Sequence, residues 1–240
     1  MVRERNKTLR AIIFSFAILL TVISGTFLYS RSWQHSFFVD PLYQLDPNEK
    51  IVALTFDDGP NAKRTPPLLD LLAKHEVKAT FFMLGLQIER EPEIAKAVFE
   101  AGHLLGNHTY DHQQMIFKSP SFVRAQIERT DSLIQAFGAA KPTYFRPPYS
   151  SKYMVLPWVL KEMNKTLVTG TYDPPAEYRS PYPAQQVADE VLTNVQNGSI
   201  IYLHDGKSSD VEAFLQSVEL IIVGLKAQGY RLVRLDEQGL

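Results

Sequence analysis

The chain has 240 residues, enough for one large α/β domain or two small ones. Apolar residues make up 45% and charged residues 21%, as in an ordinary globular protein, and the formal net charge of −1 argues against nucleic acid as a partner. The absence of cysteine excludes disulfides, thiolate metal ligands, a cysteine nucleophile and a lipid-modified cysteine.

The N-terminus predicts a membrane segment. Residues 1–10 carry four basic residues and one acidic residue, and the following stretch Ala11–Ser30 contains no charged residue. A helix of about 20 residues spans about 30 Å, the thickness of a hydrocarbon core. A cleaved signal peptide and a buried soluble helix are the alternatives, but the large residues that end the span favour an uncleaved single-pass anchor. The basic flank then keeps residues 1–10 in the cytoplasm and places the remaining domain outside.

We expect residues 31–50 to form a linker or an N-terminal segment wrapped onto the following domain. Residues 51–240 are expected to form that domain. Apolar runs and helical patterns alternate along it. The predicted strands are 51–56, 79–84, 103–106, 143–145, 166–169, 199–203 and 230–233. The predicted helices are 65–75, 91–101, 121–137, 152–163, 184–195 and 211–227. About seven β/α units indicate an α/β fold with a parallel sheet that forms a closed or nearly closed barrel.

The first predicted strand delivers Asp57 and Asp58 onto an Asp-Gly-Pro turn. Ligands bind at the carboxyl ends of parallel strands in such folds. Two adjacent carboxylates repel each other unless a cation, a metal or a guanidinium compensates their charge. The alternative is a plain turn in which Asp57 caps a helix.

Two histidines four residues apart, His108 and His112, follow a later strand. We predict a helical turn here, because residues i and i+4 of a helix share a face and two imidazoles could then meet at one ion. Surface or capping roles are the alternatives. With a carboxylate from the Asp57-Asp58 pair, the two imidazoles form the donor set of a catalytic zinc site, and they favour a transition metal over magnesium or calcium.

Three further predicted strand ends carry polar residues. The segment FRPPY holds Arg146 in a stiff loop that can direct it at a carboxylate and can direct the Tyr149 backbone N–H into a site. His204 ends another apolar strand, and acids and aromatics follow the strand at 166–169. A proline turn with a surface arginine and a core histidine are the alternatives for the first two.

Together the blocks TFDDGP (55–60), HTYDH (108–112) and RPPY (146–149) resemble the polysaccharide deacetylase family, carbohydrate esterase family four, over about residues 51–233. The resemblance implies a distorted (β/α) barrel. It also implies roles for seven residues: Asp58, His108 and His112 as metal ligands, Asp57 as general base, Arg146 as its orienting partner, the Tyr149 N–H at the oxyanion and His204 as general acid.

Two departures from the family pattern concern the acid and the substrate wall. The fourth block has an extra residue, so either Asp173 or Glu177 could support His204; Asp173 is the first choice as a catalytic residue. In the fifth block Tyr202 replaces the usual leucine, which puts acyl and sugar preference in question. The predicted substrate contacts are Pro148, Tyr149, Tyr178 and Tyr202.

The resemblance implies a metal-dependent hydrolase that removes N-acetyl groups from an N-acetylhexosamine polysaccharide. The expected metal is zinc, with cobalt or another transition metal as alternatives. An outward-facing, membrane-tethered enzyme would meet peptidoglycan first and chitin-like oligosaccharides next. Acetyl xylan esterase activity and a catalytically idle glycan-binding protein are the remaining alternatives, and the sequence carries no signal for oligomeric state.

Overall fold

The computed structural model describes residues 2–206 and 210–237. The first residue of the predicted cytoplasmic flank and the last residues of the predicted domain lie outside this range. The described strands are β1 (Ile51–Asp57), β2 (Thr80–Met83), β3 (Leu104–Asn107), β4 (Tyr144–Phe145), β5 (Thr166–Leu167), β6 (Ser199–His204) and β7 (Arg231–Leu232). The described helices are α1 (Val2–Ser30), α2 (Thr65–Lys74), α3 (Gly85–Arg90), α4 (Pro92–Glu100), α5 (Pro120–Gln135), α6 (Val155–Glu162), α7 (Ala184–Asn194) and α8 (Val211–Ala227).

All seven described strands belong to one parallel sheet. Its order is β5-β4-β3-β2-β1-β6, and β7 pairs with the first residues of β1. The sheet curls, and single parallel bridges from Leu42 to Val168 and from Tyr172 to Ile201 join its two edges where regular strands are missing. The predicted distorted (β/α) barrel is therefore confirmed as a curled sheet of parallel strands with helices around it.

Side-chain alternation on β1 separates the two faces of the sheet. Val52, Leu54 and Phe56 pack in the large core beneath the helices, whereas Ile51 and Ala53 belong to the smaller core inside the barrel. Because successive strand residues point to opposite faces, Thr55 and Asp57 lie on the inner side. The strand thus brings its terminal carboxylate to the inner rim of the barrel.

The same alternation on β6 brings Tyr202 and His204 to the inner rim. Ile200 lies in the inner core, and Ile201 and Leu203 lie in the outer one. The parallel register pairs the last residue of β1 directly with His204. Two chemically competent side chains on neighbouring strands therefore face one space.

Several element boundaries differ from those that the sequence predicts. Helix α3 lies where no element is predicted, and α6 begins three residues later than predicted. Strands β4, β5 and β7 contain only two residues each. Strands β4 and β5 lie at one edge of the sheet, and β7 pairs only with the first two residues of β1. Few ladder hydrogen bonds form at either place.

The part of helix α1 from Ile12 to Ser30, 19 residues, is long and apolar enough to cross a membrane. No residue in the most apolar stretch of this segment is buried against the domain. A signal sequence would meet the same criterion. After α1, residues 31–46 lie against the barrel: Leu42 exchanges backbone hydrogen bonds with Leu167 and Thr169, and the Leu45 N–H donates to the Gly198 carbonyl.

His103, just before β3, is a buried histidine outside the candidate site. Its Nδ1 accepts the Ala79 backbone N–H at 3.1 Å, and its ring packs edge-on against Phe81 with centroids 5.1 Å apart. Burial, followed by the charges of Lys78 and Arg234, lowers the pKa of His103 to about 4. The ring is therefore neutral in the folded protein at neutral pH.

This neutral ring predicts a pH-dependent contribution to stability. An unfolded histidine has a pKa near 6.5, so the unfolded chain binds the extra proton first, and stability falls as the pH drops from about 6.5 to about 4. The loss attributable to His103 is on the order of 3 kcal/mol, from about 1.36 kcal/mol per pKa unit. Urea unfolding of the full chain in detergent at pH 7 and pH 4.5 should show a smaller loss for His103→Gln than for the wild type. The exposed His35→Gln is the control, and equal losses in all three proteins would contradict the prediction.

Candidate active site

A cavity of about 370 Å³ opens at the carboxyl ends of the strands. Eight of the residues that the sequence predicts for the site line it: Asp57, His108, His112, Tyr149, Asp173, Tyr178, Tyr202 and His204. Asp58 and Arg146 contact these residues from behind the wall. Pro147 and Pro148 are both buried, and Pro147 is the one that lines the cavity among the described residues. A contact between Pro148 and substrate stays a prediction.

Asp57 is held by a buried guanidinium. Arg146 Nη1 donates to Asp57 Oδ1 at 2.8 Å and to Thr55 Oγ1 at 2.7 Å, and Nη2 donates to the Thr169 carbonyl at 3.3 Å. The guanidinium also lies 3.7 Å from the centroid of the Tyr202 ring. A buried carboxylate and a buried guanidinium compensate each other's charge, so the orientation of Asp57 is fixed. Its other oxygen, Oδ2, lies 4.0 Å from His108 Nε2.

Asp58, His108 and His112 form a second group beside this pair. Asp58 Oδ1 lies 3.3 Å from His108 Nε2 and 3.1 Å from His112 Nε2, and one potential ligand atom of each residue lies within 4.8 Å of the others. Burial alone would raise the pKa of Asp58, but its contacts with the two imidazoles outweigh burial and hold the pKa well below its usual range. Asp58 is therefore a carboxylate at neutral pH.

The ring of His108 shows whether this group fits a metal ion. His108 Nδ1 lies 2.7 Å from the Arg146 carbonyl oxygen. A carbonyl can only accept, so Nδ1 carries the proton and a neutral ring presents a lone pair at Nε2, facing the Asp58 carboxylate. Two acceptors this close require a cation or a second ring proton between them. A metal-binding histidine usually donates its other ring N–H to a carbonyl or carboxylate, which fixes the ring orientation, and His108 Nδ1 makes this contact with the Arg146 carbonyl. The three residues therefore fit a divalent metal ion.

The predicted helical turn between His108 and His112 is wrong. The segment is an irregular loop in which Thr109 and His112 have positive φ angles of 72° and 61°. The Thr109 N–H donates to Asn107 Oδ1, and the His112 N–H donates to Thr109 Oγ1 at 3.2 Å. These local hydrogen bonds fold the loop back on itself, and the two rings still meet, with centroids 5.1 Å apart.

The loop after β4 brings Tyr149 to the cavity. Tyr149 has φ 59° and ψ 21° inside a short turn, and its ring packs edge-on against His112 with centroids 4.6 Å apart. No acceptor for the Tyr149 N–H is found among residues 2–206 and 210–237. Two prolines precede this residue and restrict the loop, which keeps the N–H in a constant position at the rim.

His204 is supported by Glu177 and not by Asp173, the first choice of the sequence prediction. Glu177 Oε1 accepts the His204 backbone N–H at 2.7 Å, and Oε2 accepts from Nδ1 at 2.9 Å. A short turn, Pro175–Tyr178, carries the buried Glu177 beneath the end of β6. With Nδ1 as the donor to the carboxylate, Nε2 is the ring nitrogen that faces the cavity.

Asp173 contacts Tyr178, beside His204. Both of its carboxylate oxygens accept from the Tyr178 hydroxyl, at 3.0 and 2.9 Å, and that hydroxyl lies 3.4 Å from His204 Nε2. Burial raises the pKa of Asp173 above its ordinary value, and burial likewise raises that of Tyr178. Tyr178 therefore remains a hydroxyl donor between the acid and the imidazole.

Tyr202 occupies the position where the family usually has leucine. Its ring is almost fully buried beneath the cavity, and burial raises its pKa to about 12, so the hydroxyl is neutral at physiological pH. The hydroxyl lies 3.4 Å from Ser150 Oγ. At this predicted substrate contact, Tyr202 presents an aromatic ring and a neutral hydroxyl where leucine would present an apolar side chain.

Four residues that line the cavity were not predicted from the sequence. Pro147 and Ser150 adjoin Tyr149 in the loop after β4, whereas Arg31 and Trp33 lie far from that loop in the chain. Arg31 and Trp33 belong to the segment expected to be a linker or an N-terminal wrap, directly after the apolar span. A tryptophan and an arginine in that place are typical of a membrane interface, and no periodicity relates them to the strand ends.

Comparisons with known proteins agree with this geometry. A family model described as polysaccharide deacetylase matches residues 44–168. A peptidoglycan-N-acetylglucosamine deacetylase of Bacillus cereus is 35% identical over 189 residues, which cover 78% of this chain and 68% of that protein. A crystal structure of a peptidoglycan N-acetylglucosamine deacetylase superimposes with a TM-score of 0.77 at 34% identity, covering 82% of this chain and 91% of the other. A carbohydrate esterase family four pseudoenzyme from Bacillus anthracis gives a TM-score of 0.75 at 27% identity, covering 82% and 68%.

Proposed function

The chain belongs to the polysaccharide deacetylase family and is a hydrolase of that family, and we propose that it removes N-acetyl groups from the aminosugars of peptidoglycan. One observation carries this proposal. A single cavity presents a metal-ligand group, a carboxylate held by arginine and a histidine held by a second carboxylate. These are the groups that amide hydrolysis needs: a site for a cation, a proton acceptor and a proton donor. N-acetylglucosamine and N-acetylmuramic acid are the preferred sugars, and chitin-like oligosaccharides come next.

The family is metal-dependent, and we propose that Asp58, His108 and His112 hold the ion. Two imidazoles and one carboxylate are the donor set of catalytic zinc, with cobalt or another transition metal as a substitute. When bound, zinc would supply Lewis-acid chemistry, making water more acidic and stabilising negative charge on oxygen.

The adjacent carboxylate, Asp57, is the proposed general base. As water adds to the acetyl carbonyl carbon, its proton passes to Asp57, whose orientation Arg146 maintains. The Tyr149 N–H donates to the carbonyl oxygen as that oxygen gains negative charge. A donor of this kind typically contributes about 3 kcal/mol to lowering the barrier. Asp57 and Asp58 therefore have different duties, because one must accept a proton while the other faces the cation.

The leaving nitrogen must be protonated before the C–N bond breaks, and His204 is the proposed acid. Its Nε2 faces the cavity, and Glu177 holds Nδ1 and compensates the positive charge of the protonated ring. Proton transfer from Nε2 to the amide nitrogen then gives a free amine on the sugar and releases acetate.

Acetate release tests the proposed function. The purified full chain, in detergent, is incubated with peptidoglycan, N-acetylated chitotetraose and acetylated xylan, with and without a chelator. We expect release from peptidoglycan, less from chitotetraose, loss of activity with chelator and recovery when zinc is added back. Release only from acetylated xylan would identify an O-acetyl esterase. No release from any glycan by a metal-loaded chain would indicate an idle member of the family, such as the pseudoenzyme of similar fold.

We also propose that α1 anchors the chain in the membrane with the catalytic domain outside. The helix has the length and composition for one span, and the basic residues precede it. This orientation would place the cavity on the side where cell-wall glycans are found. A secreted form would result if the segment were cleaved.

A further inference from the structure

The segment after α1 is fixed to the domain by two buried anchors. Lys152, which is fully buried, donates from Nζ to the Ser32 carbonyl at 2.6 Å. The Thr169 hydroxyl donates to the Trp33 carbonyl, also at 2.6 Å. Burial, followed by the charge of Arg31, lowers the pKa of Lys152 to about 8, so a buried ammonium is retained at neutral pH for this backbone contact. The segment is therefore held in place and is not a free linker.

The same anchors connect this segment to the reacting groups. Thr169 donates its hydroxyl to the Trp33 carbonyl, and its own carbonyl accepts from Nη2 of Arg146, the guanidinium that holds Asp57. The Trp33 ring packs on the Tyr202 ring, with centroids 5.4 Å apart and a tilt of 31°. Trp33 is thus held in place, and the Tyr202 ring lies between it and Arg146, which orients the proposed base.

The Trp33 ring is only half-buried, and it lines the cavity. A cavity of about 370 Å³ is near the lower end of ligand sites, which range from roughly 300 to 1,000 Å³, so it can enclose one acetylated sugar and the next sugars lie at its mouth. The apolar C–H face of a pyranose ring packs well on an aromatic face, which carries partial negative charge. A half-buried indole that lines the cavity is suited to hold a sugar of the glycan chain.

Arg31 adds charge to the same wall. Among the described residues that line the cavity, it is the one with a permanent positive charge, since the others are acidic, neutral or histidine. Chitin-like chains are uncharged, whereas peptidoglycan carries carboxylates on its peptides. An arginine at the wall therefore favours the anionic glycan through charge-assisted hydrogen bonds.

We propose that residues 31–33 form a substrate-binding wall, with Trp33 as a platform for a sugar ring and Arg31 as a contact for a carboxylate of peptidoglycan. The proposal rests on the proposed function and adds the part of the chain that selects the polymer. A rival role, anchoring of both side chains among lipid headgroups, predicts changes in membrane retention and none in substrate binding.

Kinetics of Trp33 variants in the full chain test the platform. For N-acetylated chitotetraose, Trp33→Ala should raise KM roughly 10-fold or more with kcat little changed, as expected when a binding contact common to ground and transition states is removed. Hydrolysis of a small aryl acetate should not change. Trp33→Phe should retain most of the affinity, and Trp158→Ala, at an exposed tryptophan outside the cavity, should behave as wild type. An unchanged KM for Trp33→Ala, or an effect on membrane retention alone, would overturn the proposal.

Fluorescence gives a readout that does not depend on turnover. The chain has two tryptophans, so Trp158→Phe leaves Trp33 as the single reporter, and Asp57→Asn in the same chain prevents hydrolysis. Addition of chitotetraose should shift the emission of Trp33 in a saturable manner, whereas xylose should not. An unresponsive Trp33 in a folded chain would refute the platform. If the wild type releases no acetate while Trp33 still responds, the proposed function fails and the binding wall stands.

Comparison of two substrates tests Arg31. Arg31→Gln should lower kcat/KM about 5–10-fold for soluble peptidoglycan fragments and leave chitotetraose unaffected, and 0.5 M salt should reduce the difference because exposed charge pairs are screened. Arg90→Gln, at an exposed arginine outside the cavity, is the matched control. Equal effects on the charged and the uncharged substrate, or none on either, would rule out the carboxylate contact.

Discussion

Asp57→Asn should reduce acetate release by about 10²–10⁴-fold, the usual range for loss of a general base, while the chain keeps one metal ion. Asparagine has nearly the same shape, and its amide oxygen can still accept from Arg146, so the pocket should keep its geometry. The amide cannot take a proton from water at neutral pH. The measurement is kcat on peptidoglycan together with metal content after dialysis.

Asp58→Ala should instead lose both the metal and the activity. Asp58 Oδ1 is the oxygen that lies within 3.3 Å of both imidazoles, whereas Asp57 Oδ2 lies 4.0 Å from the nearer one. Asp70→Asn, at an exposed carboxylate on α2, is the control and should leave both quantities unchanged. Wild-type turnover in Asp57→Asn would disprove the base, and loss of metal from Asp57→Asn would disprove the division of duties between the two acids.

Asp57→Asn also has a stability readout. Arg146 is completely buried, and Asp57 is the carboxylate that compensates its charge. Removing one partner of a buried ion pair is usually costly, because the other charge stays in the interior. A thermal unfolding curve measured beside the activity separates loss of a proton acceptor from loss of the fold, since an inactive variant that still unfolds cooperatively has lost chemistry alone.

Much of the fold could be predicted because strands and helices alternate with distinct patterns. The apolar run that becomes β1 is buried throughout, and α8 has the predicted limits, because a long apolar face and the Asp210 side chain define its start. The two-residue strands have no such signal. Their backbone conformation depends on neighbours that are distant in sequence, such as the bridge between Leu42 and Val168.

The site shows a similar division. The order of strand ends predicts that Asp57, His108 and His204 meet, because carboxyl ends of parallel strands share one rim. The path of the chain between His108 and His112 could not be predicted, since its positive φ angles depend on hydrogen bonds within the loop. Gly59 is another example: a side chain there would collide with the Asp205 carboxylate, a contact that the sequence does not reveal.

The partner of His204 depends on the same kind of local geometry. Sequence spacing left both Asp173 and Glu177 available, with Asp173 preferred. The turn Pro175–Tyr178 decides between them, because Glu190 Oε2 accepts the Ala176 N–H at 2.9 Å and helps to hold the turn beneath β6. Glu177 then reaches both the backbone and the ring of His204.

Glu177→Gln should therefore lower kcat by about 10²–10⁴-fold with little change in KM, whereas Asp173→Asn should cost less than about 10-fold. The single carbonyl oxygen of glutamine can still accept from His204 Nδ1, but its NH2 group then faces the His204 backbone N–H, which Glu177 Oε1 accepts in the wild type. The neutral amide also does not compensate the positive charge that the protonated ring carries. The protonated form becomes harder to maintain, so the alkaline limb of the pH profile of kcat should move to lower pH. A purely structural role for Glu177 would leave that limb in place.

Glu190→Gln is the matched control, because Glu190 supports the same turn without touching His204. If loosening of the turn caused the loss, Glu190→Gln and Glu177→Gln would be similarly impaired. If Asp173→Asn proves to be the severe variant and Glu177→Gln retains wild-type kcat and pH profile, the assignment of Glu177 is wrong, and Asp173 would have to reach His204 Nε2 through the Tyr178 hydroxyl that lies between them.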